Sequence, residues 1–199
     1  GPSQYTPDLL ATLAKYGIKA TFFVIGSQAI LYPDILLAIH QAGHQIGSHT
    51  WSHSDMTTLS HDQIVAELVT TAMAIKQITG VTPKFWRPPY GYVNREMLAV
   101  ASSLGLTSIK WLRDTGDFNL QSGTTTTDAV LSNVQSWVTA GQRNAISLQH
   151  DMYAASESIA GPVVQILMNA GVNVVRMDQC VQSDAYGGPL DKFVSAMFH

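Results

Sequence analysis

A chain of 199 residues with 46% hydrophobic content and a formal net charge of -3 is long enough for one domain with a sizeable core and too apolar for disorder. Charged residues make up 13%, about half the usual share, which fits an extracellular protein better than a cytosolic one, and the absence of a Lys/Arg cluster argues against a nucleic-acid or anionic-membrane partner. No apolar run reaches the roughly 18 residues of a membrane span. The single cysteine, Cys180, excludes an internal disulfide and reads either as a small buried hydrophobe or as half of a bridge to sequence outside the chain.

In chain order, Thr6-Pro7 reads as a helix start, with Thr6 as the cap and Leu9, Leu10, Leu13 and Tyr16 along one side. Thr21 to Gly26 reads as a fully buried strand. A helix over 32–42 and a short strand over 44–48 follow. Ser60, with Gln63 three positions on, predicts a capping box for a long helix closed by Gly80, whose apolar side is Ile64, Leu68, Met73, Ile75 and Ile78. Lys84 to Trp86 is a brief strand, Asn94 opens a helix that stops at Gly105, and Leu106 to Trp111 is the next strand. The polar run Thr124 to Thr127 leads into a helix over 128–140, then a strand over 145–148, a helix over 158–170 and a final strand over 172–176. Alternation with short connections predicts a parallel sheet or barrel of the α/β class, with functional loops at the carboxyl ends of the strands. Because the alternation begins with a helix, one strand's worth of hydrogen-bonding edge is left open.

The residues that carry chemistry sit where predicted strands give way to loops. In Ser48-His49-Thr50-Trp51-Ser52-His53 the two histidines are four apart, a spacing that puts both imidazoles on one helical face within reach of one small cation. The same spacing also serves surface and cap roles, and catalytic zinc takes three protein ligands plus water, so a third ligand is required. His150, after a buried strand and beside Asp151, suits a general acid or base, or an ordinary loop histidine. Asp117 suits the orienting of an imidazole and Asp114 a pairing with Arg87, while Asp114-Thr115-Gly116-Asp117 is also good turn sequence. Arg87, ahead of two prolines, is a cation on a rigid extended segment. His40, His44, His61 and His199 have no comparable setting and read as surface or local hydrogen-bonding residues.

This set of motifs resembles the polysaccharide deacetylases with the NodB homology domain, carbohydrate esterase family 4, and among them the chitin deacetylases most. The resemblance covers essentially the whole chain, 1–199, as a single domain, and implies a distorted (β/α)7-type barrel. Ser48 to His53 matches the second motif, which makes His49 and His53 metal ligands. Arg87-Pro88-Pro89-Tyr90-Gly91 matches the third: Arg87 fixes the catalytic carboxylate and the Tyr90 amide contributes to the oxyanion hole. Asp114-Thr115-Gly116-Asp117-Phe118 matches the fourth, with Asp117 as partner of the acid histidine, and Leu148-Gln149-His150 matches the fifth, with His150 as the acid and Leu148 in the acetyl-methyl pocket. Trp111, Phe118 and Tyr90 are candidate sugar contacts.

Two departures from the family pattern stand out. Phe118 replaces the usual tryptophan, which keeps an aromatic wall and loses the indole donor. The first motif, Thr-Phe-Asp-Asp-Gly-Pro, is reduced to Gly1-Pro2, so the aspartates that act as base and third metal ligand, and the first barrel strand, are expected upstream of Gly1; the chain by itself is expected to show little or no turnover. The implied reaction is metal-dependent hydrolysis of N-acetyl groups on an N-acetylglucosamine polymer such as chitin, with zinc the first candidate ion and cobalt the second. The implied setting is a secreted or cell-wall-associated monomer. Acetylxylan and peptidoglycan are alternative substrates, and a carbohydrate-binding protein of the same fold is the alternative class. In that picture Cys180, near the last strand, suits a bridge tying the two termini together.

Overall fold

The computed structural model describes residues 1–142 and 144–197, and His199 lies outside them. In chain order the elements are α1 (Thr6–Lys15), β1 (Thr21–Val24), α2 (Gly26–Leu31), α3 (Pro33–Gln41), β2 (Gln45–Ser48), α4 (His61–Thr79), β3 (Phe85–Trp86) and α5 (Arg95–Ser103). They continue as β4 (Thr107–Ser108), β5 (Arg113–Asp114), α6 (Thr127–Thr139), β6 (Ser147–Leu148), α7 (Ala154–Ser158), α8 (Ala160–Asn169), α9 (Met177–Val181) and α10 (Pro189–Ala196). Single 3-10 turns lie at Met56–Thr58, Pro89–Gly91 and Asp117–Leu120. The class is α/β with parallel strand pairs, as the alternation predicts, in keeping with a distorted (β/α) barrel. Among the described residues no helix is long and apolar enough to cross a membrane.

The chain divides into two units, the first built from Gly1–Pro2, Thr21–Lys110 and the chain from Arg176 on. Its sheet is parallel in the order β1-β2-β3-β4, with Thr21 opposite Gln45, Val24 opposite Ser48 and Ser48 in turn opposite Trp86. The long helix α4 is specified at both ends as the sequence predicts: Ser60 and Gln63 form a reciprocal capping box, and Gly80 closes it at φ 79°, a left-handed conformation that glycine adopts at no steric cost. Its inward residues Ile64, Leu68, Val69 and Ala72 join Met56, Trp86, Met97, Val100 and, from α10, Leu190 and Val194 in one core. Each such large side chain contributes about 1.5–3 kcal/mol when fully buried.

The second unit comprises Ser3–Ala20 and Trp111–Val175. Here β5 and β6 pair in parallel, with Asp114 opposite Leu148, and a smaller core joins Val130, Val134 and Trp137 of α6 to Ile159 and Val163. Thr126, the residue immediately before α6, caps that helix by accepting from the Ala129 amide at 3.2 Å.

Several expectations are corrected. Thr6 is not a cap: its hydroxyl accepts from the Ser3 amide at 2.9 Å and donates to Asp151 Oδ2 at 2.6 Å, so a partner distant in sequence takes the group that would have capped α1. The strand predicted over 21–26 stops at Val24, its one buried residue, because the next amides leave the ladder: those of Gly26 and Ser27 donate to the Thr50 and Trp51 carbonyls. The helix predicted over 158–170 is α8, Ala160–Asn169, and a short helix the sequence did not suggest, α7 at Ala154–Ser158, precedes it. Residues 172–176 form no strand despite three valines; β propensity acts only where a neighbouring edge is available to pair. Cys180 is exposed rather than buried.

Candidate functional site

In the first unit the histidine pair begins where the β2 ladder ends. The His49 amide donates to the Val24 carbonyl at 2.8 Å, which continues the β1–β2 register one residue further. Its ring Nδ1 lies 2.7 Å from the Arg87 carbonyl oxygen. A carbonyl only accepts, so Nδ1 carries the proton and Nε2 keeps its lone pair, the arrangement typical of a metal-ligating imidazole. Burial holds the His49 pKa down at about 3; the Arg87 carbonyl opposes this, while His53, the Gly1 amine and Arg87 reinforce it. The ring is therefore neutral at pH 7.

His53 does not reach its partner along a helix. Residues 49–55 form none, and the helical face expected from the spacing is replaced by a loop with two left-handed residues, Thr50 at φ 66° and His53 at φ 60°. The two rings meet edge to face with centroids 4.7 Å apart. Thr50 is fully buried, and a β-branched residue at positive φ costs about 1–3 kcal/mol, a strain found where function over-determines geometry. The loop is held from outside. Gly26 and Ser27 amides donate to the Thr50 and Trp51 carbonyls at 2.9 and 3.1 Å, Thr50 Oγ1 accepts from the His53 amide at 3.2 Å, and Glu67 of α4 accepts from the Trp51 and Ser52 amides at 2.7 and 2.9 Å. Glu67 has no signal in the sequence: it reads there as one polar residue of a long amphipathic helix.

Arg87 and Tyr90 complete this group. The Arg87 amide donates to the Ser48 carbonyl at 2.9 Å, which fixes the segment after β3, and its buried guanidinium lies 4.2 Å from the centroid of Phe23. Burial lowers its pKa to about 10, so it remains a cation at neutral pH. Tyr90 takes φ 57° in the 3-10 turn. Its ring stands 4.8 Å from His53 and 5.8 Å from Tyr92, and both tyrosines are more than half exposed, at 55% and 56%. The donor set fits a borderline divalent ion as two imidazoles; among the described residues no group of three or more His, Cys, Asp or Glu is placed to hold a metal.

In the second unit Asp117 and His150 form a closed pair. The buried carboxylate accepts from the His150 backbone amide at 2.7 Å through Oδ2 and contacts ring Nδ1 at 2.8 Å through Oδ1. Thr115 Oγ1 sits 3.1 Å from Asp117 Oδ1 and 2.9 Å from the Leu148 carbonyl, tying the aspartate turn to the end of β6. Asp114 serves the turn itself, accepting from the Gly116 amide at 2.9 Å. The next residue after the histidine is secured as well: Ser3 Oγ donates to the Asp151 carbonyl, and Thr6 Oγ1 to its carboxylate. Phe118 is half-exposed, its ring 5.3 Å from that of His150 and 5.6 Å from that of Tyr153. Leu148 is buried, and Trp111 is half-buried just ahead of β5.

Comparison with known proteins gives this arrangement its family. Residues 1–109 match the model described as polysaccharide deacetylase. Chitin deacetylase 1 of Cryptococcus neoformans var. grubii is 36% identical over 200 residues, covering 92% of this chain and 43% of the relative. The peptidoglycan-N-acetylglucosamine deacetylase PgdA of Listeria monocytogenes is 34% identical over 180 residues, covering 90% and 36%. The chain thus spans less than half the length of these curated relatives. The solved structure of the Bc1960 peptidoglycan N-acetylglucosamine deacetylase, in complex with 4-naphthalen-1-yl-N-oxidanyl-benzamide, superposes with a TM-score of 0.84 at 26% identity, over 94% of this chain and 86% of that one. With a family model over more than half its length and a relative matched along nearly all of it, the chain belongs to the polysaccharide deacetylase family.

Proposed function

We propose that residues 1–199 work as one NodB-like domain that hydrolyses the acetamide groups of an N-acetylglucosamine polymer such as chitin. The observation that carries this reading is the double grip of Asp117 on His150, which prepares an imidazole to donate a proton. With Nδ1–H committed to the carboxylate, Nε2 is the position that takes up a proton and gives it to the departing amine, and the adjacent anion stabilises the imidazolium in between. The Tyr90 amide is assigned to the developing oxyanion. Arg87 supplies a fixed cation to the catalytic carboxylate, Leu148 the apolar seat for the acetyl methyl, and Phe118, Trp111 and Tyr90 the aromatic surfaces for sugar rings.

His49 and His53 would hold a divalent ion, zinc first and cobalt second. When bound, such an ion supplies Lewis-acid polarisation of the amide carbonyl and acidification of water. The relatives quoted above are named chitin deacetylase and peptidoglycan-N-acetylglucosamine deacetylase, which supports the reaction class. The low charge favours neutral chitin over peptidoglycan and suits a secreted or cell-wall-associated monomer.

The test is acetate release from an acetylated chitin oligomer with added zinc or cobalt, measured on this chain and on a version extended before Gly1 by Thr-Phe-Asp-Asp. The Gly1 carbonyl accepts from the Ile25 amide at 3.0 Å, which sets the point of extension beside the end of β1. Acetate release by the extended chain, lost in His150→Ala, is the expected result. Oligomer binding by both versions with release by neither would replace the reading with a carbohydrate-binding protein of the same fold.

A further inference from the structure

We infer that Glu67 is the positioning residue of the histidine pair, holding the loop between His49 and His53 in the one conformation that brings the two imidazoles together. For its consequence, divalent-ion affinity, the inference rests on the metal reading given above. Three donors of the loop converge on this carboxylate: the Trp51 and Ser52 amides on Oε2 at 2.7 and 2.9 Å, and Ser52 Oγ on Oε1 at 2.6 Å. Both peptide groups lie between the histidines, and the left-handed residues Thr50 and His53 flank them. Bonds to an ionised acceptor are about twice as strong as neutral ones, so the carboxylate opposes the tendency of Thr50 and His53 to relax to negative φ.

The carboxylate is itself well placed to act as a fixed point. Glu67 lies between Ile64 and Leu68, both fully buried, on a helix closed by its capping box, and the Thr71 hydroxyl donates to its carbonyl at 2.7 Å. The loop carbonyls of Thr50 and Trp51 are held in turn by the first amides of α2. The loop's amides thus find their acceptor on α4, and its carbonyls find their donors on α2. Ser52 is exposed and Trp51 half-buried, so water can replace the carboxylate when it is removed; the protein stays folded while the loop loses its single conformation.

The experiment uses the full chain and measures zinc affinity by calorimetry together with amide hydrogen exchange at Trp51 and Ser52, for wild type, Glu67→Ala, Glu67→Gln and His49→Ala. Glutamine keeps one oxygen able to accept from both amides and offers an NH2 to Ser52 Oγ, so it tests the bonds apart from the charge. Glu67→Ala is expected to speed exchange at both amides and weaken zinc binding by about 10- to 100-fold, with Glu67→Gln close to wild type in both. Exchange unchanged in Glu67→Ala overturns the inference, and so does faster exchange with an unchanged zinc Kd, which would make Glu67 a merely structural residue. Wild-type zinc binding that His49→Ala does not reduce would instead remove the metal reading, and faster exchange in Glu67→Ala would then still uphold the hold on the loop.

Discussion

Asp117 binds His150 at two points, the backbone amide at 2.7 Å and ring Nδ1 at 2.8 Å, so a single buried carboxylate fixes both the position of the residue and the tautomer of its ring. Asp117→Asn keeps the shape but offers one oxygen for two donors. Its NH2 would face either the His150 amide or a ring nitrogen obliged to become the acceptor, which puts the remaining proton on Nε2. If His150 is the proton donor to the leaving amine, kcat for acetate release by the active, extended protein falls by about 10²- to 10⁴-fold, the usual weight of general acid–base catalysis. The fold survives, with a loss of about 1–3 kcal/mol for one imperfectly paired buried donor. A kcat within a few-fold of wild type would separate the pair from catalysis.

The two residues stood out in the sequence because each follows a strand within three residues and carries chemistry in its own side chain, and the family resemblance paired them. The capping box at Ser60, the stop at Gly80 and the helix start at Asn94, whose Oδ1 accepts from the Met97 amide at 2.9 Å, were readable for a similar reason: they depend on residues within a few positions of one another. What escaped depends on partners far away in the chain. Thr6 looks like a cap until Asp151 claims its hydroxyl. The strand suggested by Val172 to Val175 needs an edge that local composition does not encode. The pattern His-x-x-x-His suggests a helix, yet the pair is joined by two left-handed residues that Glu67 and the first turn of α2 support from outside, and nothing in the spacing announces either support.

The closeness of α2 to the histidine loop makes Gly26 intolerant of any side chain. A Cβ there would lie 2.5 Å from the Trp51 ring and 2.8 Å from Thr71 Oγ1, with the Thr71 backbone at 3.1 Å. Thr71 belongs to α4 and cannot retreat without moving a helix whose neighbouring side chains are buried. Gly26→Ala is therefore expected to destabilise the protein by about 1–3 kcal/mol, the usual cost of overpacking, despite the gain in helix propensity. Urea unfolding measures it, and a stability equal to or above wild type would show that α2 and the loop can separate.

Tyr186 fills a gap in the sheet. β2 pairs with β3 only at Ser48 and Trp86, and the amide of the fully buried Ile46 donates instead to the Tyr186 hydroxyl at 3.0 Å. Burial raises the phenol pKa despite that bond, so the hydroxyl stays neutral and accepting across the ordinary pH range. Tyr186→Phe removes the acceptor with almost no change of shape. The expected cost is about 1–3 kcal/mol, that of one unsatisfied buried donor, seen as a lower urea midpoint. Zinc binding should be unchanged, because Ile46 lies three residues before His49 and the loop's own supports are intact.

The depressed pKa of His49 makes stability depend on pH in a definite direction. The ordinary histidine value is 6.5 and the folded value about 3, set first by burial. Between these limits the unfolded chain binds a proton that the folded chain refuses, so protonation favours unfolding. The contribution of His49 is fully present above pH 6.5, is lost as pH falls below that value, and stops changing below about 3. While it operates the slope approaches one proton, about 1.4 kcal/mol per pH unit. Other groups titrate in the same range, so the comparison is with His49→Asn, whose Nδ2 can still donate to the Arg87 carbonyl but which binds no proton. Urea unfolding from pH 6.5 down to pH 4 should show wild type losing stability more steeply than His49→Asn by up to that slope. Parallel curves would mean that His49 finds solvent, or a way to accept its proton, while the protein remains folded.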